Sequence, residues 1–506
     1  MVAESLPVTL SPYPLIPPFH MSSSRLQNTI EGLRGKRIHV VGFAGTEGAS
    51  VVDFLAGRGI MSITAHEMHS PDEFTAAFDR THQWLAADQR AGAAQRVLSH
   101  PITYRWKDRY LESIERADVI FVPQSWFRYT HNAPVRQAQQ RGVRLSSMTH
   151  LFFEVSPCPI IGVTGTNGKF TVAYLIDQML RRSGFRTHFS GNDRSHVPML
   201  YYVDEIPPEA WLVLEISNRQ LVGLPYSPDI AVITNIAPHH LDDHGTMEAY
   251  VATKRTILDH QSRDGKAVLN ADDHRVAALA SFAHHPYLFS RTQRLERGAY
   301  LSDGRLVITG DRMEQAVPRS VLQVPGRHMI ENALAACLAS SLAGSSAPAM
   351  AEVLSEFRGL PYRFRVVAEI NGVRYIEDSL ATNPAAAAVA IASMDRPFVL
   401  IAGGARPRAT AEDFNPMREA LSGSPVRAVL LIGATAPHLG EALALTAVPV
   451  HQMSTLERAV DEAASRARPG EAVLLSPGCE SFDQFTDYRQ RGDRFVDLVR
   501  ALSVNA

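Results

Sequence analysis

The stretch CPIIGVTGTNGKFTVAYLIDQMLRRSG, residues 158–184, runs from an apolar segment through a glycine-rich loop into an amphipathic segment without a break. The apolar segment predicts a strand, and the apolar spacing after Lys169 predicts a helix. Gly165, Thr166, Asn167, Gly168, Lys169 and Thr171 lie at the junction. Glycines there let backbone N–H groups close around phosphate oxygens. The helix start adds positive potential, and Lys169 supplies a charge for the outer phosphates. The stretch therefore predicts a phosphate loop on an α/β scaffold. Two positions depart from the usual loop: Val163 stands at the place of its first glycine, and Phe170 at the place of its metal-binding hydroxyl. Thr171 is the nearest substitute for that hydroxyl.

Outward from this stretch the same strand-then-helix order repeats. Upstream, KRIHVVGF (36–43), ADVIFVPQ (117–124) and the weaker GVRLSSM (142–148) predict strands, and residues 45–60 predict a helix closed by glycines. The polar stretch around residues 79–95 predicts one inserted helix. Downstream, AWLVLEIS (210–217) and DIAVITNIA (229–237) read as strands. So do RVVAEI (365–370), RYIEDS (374–379), PFVLIAGG (397–404), AVLLIG (428–433) and EAVLLSPG (471–478). The expected fold class is α/β in three domains. These are an N-terminal Rossmann-like parallel sheet over 26–157, a central P-loop ATPase-like domain over 158–358, and a C-terminal Rossmann-like domain over 359–506. Residues 1–25 carry Pro7, Pro12, Pro14, Pro17 and Pro18 and read as an extended, mobile tail.

Five hundred and six residues suffice for about three domains of ~150 residues. The 50 basic and 52 acidic residues give a net charge of −2, without the cationic field a nucleic-acid or anionic-membrane binder uses. Three scattered cysteines, Cys158, Cys337 and Cys479, indicate neither a disulfide framework nor a zinc cluster. No apolar run reaches the ~18 residues a membrane span needs. A cytoplasmic chain is expected.

Further polar residues gather at predicted strand ends, the side on which open α/β sheets bind ligands. Glu215 ends one strand, and the next runs into Asn235 and then His239, His240, Asp242, Asp243 and His244. Glu215 and His240 together could hold Mg²⁺, and a loop of surface histidines is the alternative. Lys254 follows on a helix and, by itself, reads as a solvated lysine. Arg363, Asp378, Thr382, Arg406, Arg408 and Ser481 lie at or near later strand ends and suggest a second ligand-binding edge.

The segments GVTGTNGK (162–169), TNIAPHHLDDHGTMEAYVATK (234–254), GRHMIENALAA (326–336), LPYRFR (360–365), EDSLATNP (377–384) and LLSPGCESFDQF (474–485) occur in the order typical of Mur ligases. The chain resembles that family over all three predicted domains, most closely its glutamate-adding branch. The resemblance implies ATP-dependent formation of an amide between UDP-N-acetylmuramoyl-L-alanine and glutamate, in the D form, through an acyl phosphate. ATP and Mg²⁺ at two sites are implied, as is a monomer that binds neither nucleic acid nor membrane. It further implies nucleotide contacts from residues 165–171, Asn332, Arg363 and Asp378, and metal contacts from Thr171, Glu215, His240 and a carbamylated Lys254. Lys169, His240, Lys254 and Asp378 are the implied catalytic residues. Thr46 in the GTEG turn resembles the uridine-diphosphate contact, Asn192, Ser217 and Gln220 the muramoyl-peptide contacts, and Thr382, Ser481 and Tyr488 the glutamate contacts.

Four positions depart from the family pattern. Phe170 replaces a hydroxyl, Leu380 replaces the lysine of D-S-K-A-T-N, and His239 replaces an acid or amide. The segment ARPRA (405–409) follows Gly404, so Arg406 or Arg408 would stand in for an amino-acid-binding lysine. These departures leave two alternatives: a Mur-type ligase with another amino acid or acceptor, and a non-catalytic binder of UDP-sugar peptides.

Overall fold

A computed structural model describes residues 24–191, 196–238, 241–310, 313–444 and 446–504. The tail expected over residues 1–25 lies outside these except for its last two residues, which begin the helix Ser24–Leu33. The chain forms two compact units, 1–287 and 288–506.

The first unit contains two parallel sheets. One has the strand order Thr103–Trp106, Ile63–Glu67, Ile38–Val41, Val119–Phe121, Arg144–Ser146. The other places Lys266–Asn270, Ile230–Ile233, Ile160–Thr164, Trp211–Glu215 and Thr187–Ser190 side by side. Strands such as Ile38–Val41 and Ile160–Thr164 are buried at every residue, as expected where helices cover both faces. Parallel neighbours put all strand exits on one edge, so the loops that carry the candidate residues collect there.

In the second unit, the strands Gly298–Ser302, Arg305–Gly310 and Met313–Pro318 form antiparallel neighbours. A further sheet runs in the order Arg365–Ile370, Val373–Glu377, Ala472–Leu475, Phe398–Gly403, Val426–Ile432, Val450–Ser454. Its first strand is antiparallel to the second, and the other five are parallel. Its core includes Val399, Ile401, Leu430, Val473 and Leu475, capped by Leu456 and Phe495 from helices.

The α/β class holds. Where one helix was expected around 79–95 there are two, Pro71–Thr81 and Ala87–Ser99. The first ends at His82, whose ring stacks on Phe78 at 3.5 Å between centroids, and Trp84 follows as an aromatic anchor in the break. Helical spacing alone does not register such an anchored stop.

A buried histidine pair braces the first sheet. His39 Nδ1 lies 2.8 Å from His66 Nε2, and the Leu111 N–H donates to His66 Nδ1 at 3.1 Å. His66 must therefore carry its proton on Nε2 and donate it to His39. Burial lowers His39 to about 4 and, together with His39, lowers His66 to about 3. Both rings are neutral in the fold but take up protons when unfolded below about pH 6.5. Their contribution is complete above that pH and is lost as the pH falls toward 4, by about 1.4 kcal/mol per pH unit for each ring. Thermal unfolding is expected to show a lower Tm at pH 5 than at pH 7, with a smaller difference in the double variant His39→Leu, His66→Leu.

Candidate active site

The phosphate loop is wired to the neighbouring strand exit, 230–237. The Thr166 N–H donates to the Asn235 carbonyl at 2.8 Å, and the Asn167 N–H donates to Asn235 Oδ1 at 2.9 Å. Thr234 Oγ1 donates to the Asn167 carbonyl at 2.6 Å. Gly165, at φ +151°, leaves no room for a side chain, because a Cβ would lie 1.9 Å from Thr234 Oγ1. Gly168, at φ +80°, turns the chain into the helix Lys169–Arg182. Lys169 Nζ donates to the Thr166 carbonyl at 3.0 Å, so its charge lies over the loop.

Lys254 is not the solvated lysine its position alone suggested. It is fully buried on the helix Met247–Asp259, and its Nζ donates to the Gly165 carbonyl at 2.9 Å. Nζ also lies 4.8 Å from the Tyr250 ring centroid, and Tyr250 Oη is 3.2 Å from Thr166 Oγ1. Burial, and then the nearby Lys169 charge, hold the Lys254 amine well below its usual range. A lysine driven toward its neutral form is a nucleophile, the state that reaction with CO₂ requires.

Glu215 pairs in register with Val163, one residue before the loop strand ends, and so exits the sheet beside the phosphate loop. Thr171 lies in the first turn of the loop helix. His239, His240 and Asn192 lie outside the described residues. Among the described residues no group of three His, Cys, Asp or Glu side chains gathers as a cation cage. Glu215 and Thr171 offer oxygen donors, the kind that Mg²⁺ takes beside phosphate oxygens and water. Phe170 packs edge-on against Phe189, at 5.4 Å between centroids, and near His196 at 5.9 Å.

A cleft of about 210 Å³ in the same unit is lined by Gly45, Thr46, Gln124, Ser125, Glu215 and Gln220, among others. The helix Thr46–Ala56 opens onto it, and Gly48 allows this close approach, since a Cβ there would meet the Gly42 carbonyl at 2.5 Å. Thr46 Oγ1 donates to the Thr81 carbonyl at 2.6 Å. Ser217 and Gln220 form the capping box of the helix Asn218–Leu221, and Ser217 Oγ reaches Gln124 Oε1 at 2.9 Å.

The remaining candidates belong to the second unit. Asn332 is buried on the helix Arg327–Leu342. Asp378 accepts from Ser476 Oγ at 2.7 Å and from the Phe364 N–H at 3.1 Å. Burial pushes Asp378 up to about 7 and the adjacent Glu377 likewise to about 7. Arg363 is exposed in a turn flanked by Tyr362 at φ +64° and Phe364 at φ +44°, a strained backbone for aromatic residues. Thr382 follows on the same loop as Asp378, and Ser379 Oγ donates to the Tyr488 carbonyl at 2.8 Å. The Ala405 N–H donates to the Glu480 carbonyl at 2.8 Å, which brings the Arg406 segment beside Ser481. Arg406 is paired with Asp413 at 3.2 Å, and Arg408 is exposed at φ +61°.

The sequence reading passed over Arg491. This buried guanidinium donates to Ser379 Oγ, the Ser379 carbonyl, the Cys479 carbonyl and the Glu480 carbonyl, at 2.9 to 3.1 Å. Among the described residues it has no carboxylate within ion-pair distance, and burial lowers it to about 10. It braces the loops holding Thr382 and Ser481. Its only sequence signal was a cation at the start of an amphipathic helix, which ordinarily means solvent.

Replacing Gly165 with Ala is expected to lower Tm, because the added methyl must displace Thr234 at a cost of about 1–3 kcal/mol. It should also abolish the stabilisation that Mg²⁺ and ATP confer on the unaltered chain, read by thermal shift.

Residues 163–340 match the Mur ligase middle domain and residues 362–479 the Mur ligase glutamate ligase domain. The UDP-N-acetylmuramoylalanine–D-glutamate ligase of Symbiobacterium thermophilum is 36% identical over 476 residues, covering 92% of this chain and 98% of that protein. The enzyme of that name from Bacillus subtilis is 34% identical, covering 73% and 81%. Among solved structures, the MurF ligase of Thermotoga maritima in complex with ADP aligns at a TM-score of 0.54 and 17% identity, covering 82% of this chain and 93% of that one. MurC of the same organism aligns at 0.52 and 16% identity, covering 92% and 100%, and these likenesses speak to the fold. With its phosphate loop, parallel sheets and near full-length relatives at this identity, the chain belongs to the Mur ligase family.

Proposed function

We propose that this ligase joins D-glutamate to UDP-N-acetylmuramoyl-L-alanine at the expense of ATP, in the cytoplasm and as a monomer of three modules (26–157, 158–358 and 359–506). The observation that carries the reading is the phosphate loop with Lys254 buried against it, in a chain that spans nearly the whole length of a relative with that name.

A carboxylate is a poor electrophile. Attack of the acceptor's alanyl carboxylate on the terminal phosphorus of ATP expels ADP and gives an acyl phosphate. The neutral glutamate amine then adds to the acyl carbon, the C–O bond breaks with its electron pair going to the departing phosphate, the proton lost by the nitrogen ends on that phosphate, and an amide remains. The backbone of 165–168, with Lys169, cradles the phosphates and opposes the charge that develops during transfer. Thr171, Glu215, His240 and a carbamylated Lys254 would hold Mg²⁺ at two positions, and bound Mg²⁺ would neutralise charge on the phosphoryl oxygens. Asn332, Arg363 and Asp378 are assigned to the nucleotide. Thr46, Asn192, Ser217 and Gln220 are assigned to the acceptor, and Thr382, Arg406, Arg408, Ser481 and Tyr488 to the amino acid.

Leu380 and the engagement of Arg406 with Asp413 favour a second reading, in which another amino acid is accepted. A phosphate-release assay with ATP, Mg²⁺ and UDP-N-acetylmuramoyl-L-alanine, run over a panel of amino acids, tests both. D-glutamate is expected to give turnover and L-glutamate none. Lys169→Ala should lower kcat by about 10²–10³. Absence of phosphate release with every amino acid of the panel, by a chain that still binds the acceptor, would leave only the non-catalytic binder.

A further inference from the structure

The cleft lined by Thr46 and Gln220 has two walls that the chain ties together with charge. One wall leaves the strand Val119–Phe121, with Gln124 and Ser125 on the cleft and Arg128 at the end of the short turn Trp126–Arg128. The other leaves the strand Trp211–Glu215, with Gln220 on the cleft and Arg219 beside it. Asp243, on the short helix Leu241–His244, meets both. Its Oδ1 accepts from Arg128 Nε at 2.9 Å. Its Oδ2 accepts from Arg219 Nε at 2.9 Å and from Nη2 at 2.8 Å. The Asp243 side chain is 2% exposed, so this carboxylate is screened far less than the ordinary surface pair. The Ser217–Gln124 hydrogen bond joins the same two walls nearer the cleft.

We infer that Asp243 is a positioning residue that fixes the separation of the two walls and thereby sets affinity for the nucleotide-sugar acceptor. The inference rests on the acceptor proposed above. An isolated structural brace would act on stability and on all substrates alike, whereas a spacer of one cleft acts on the ligand of that cleft. Asp243→Asn keeps the shape and removes the charge, and Arg128→Gln cuts only the tie to the first wall.

Steady-state kinetics are expected to show the KM for UDP-N-acetylmuramoyl-L-alanine raised about tenfold in both variants. The KM values for ATP and glutamate should be nearly unchanged, the Tm of Asp243→Asn should fall because its two guanidiniums lose a buried carboxylate, and Asp243→Glu should recover part of the affinity. Calorimetric titration with the same acceptor should show the matching loss without turnover. An unaltered acceptor KM and Kd in both variants, in a chain whose parent is active, would overturn the inference and leave the proposed reaction standing. A uniform loss across all three substrates, with no selective rise in the acceptor KM, would reduce Asp243 to a brace. A parent chain that neither binds nor converts this acceptor would overturn the reaction, and the inference with it.

Discussion

The contact between the Lys254 side-chain nitrogen and the Gly165 carbonyl is the constraint around which the first unit is arranged. It joins a helix that follows one strand to the loop that follows its neighbour, in a place that water does not reach. A carbonyl that accepts from Lys254 is held in the peptide plane that the phosphate loop requires. Thr234 closes the other side, its hydroxyl occupying the space a side chain at Gly165 would need. The loop is thus shaped before any ligand arrives, and a preorganised cradle does not have to reorganise as charge develops during reaction.

The interior carries ionisable groups that an optimally stable protein would replace with apolar ones. Lys254 sits beside Lys169, and Asp378 sits beside Glu377, with like charges close in each case. Arg491 is surrounded by carbonyls and a hydroxyl. Each group responds to burial in the direction that suppresses its charge, and each lies at or braces a strand exit. Stability has been surrendered where the loops must be fixed, the pattern expected when geometry at an edge of the sheet matters more than the depth of the core.

The phosphate loop, the α/β class and the exits at Glu215, Asp378 and Gly404 were legible, because glycine spacing and apolar runs are local signals. The strands Ile63–Glu67, Thr103–Trp106 and Val450–Ser454 were not. They mix polar with apolar residues, and their pairing partners are far along the chain. The antiparallel strands over 298–318 were missed for a similar reason, since 303–304 and 311–312 resemble any polar turn. Burial of Lys254 and Arg491 could not be read from their flanking residues, because a buried cation is decided by what packs over it. Lys254 was recovered only through its place in a longer motif, and the Asp243 triad combines three segments that no single window contains.

The turn around Arg363 holds two aromatic residues in left-handed backbone, each about 1–2 kcal/mol above its relaxed state. Glycine at either place would remove that burden, yet the Tyr362 ring packs edge-on to Tyr488, and Phe364 is buried with its amide on Asp378. The packing these rings supply outweighs the strain, since truncating a buried aromatic costs about 3–5 kcal/mol against the ~1–2 kcal/mol that the left-handed backbone holds. Heat resistance and a rigid arginine turn are therefore served by the same two rings, and the tension in the backbone persists because relaxing it would empty the space they fill.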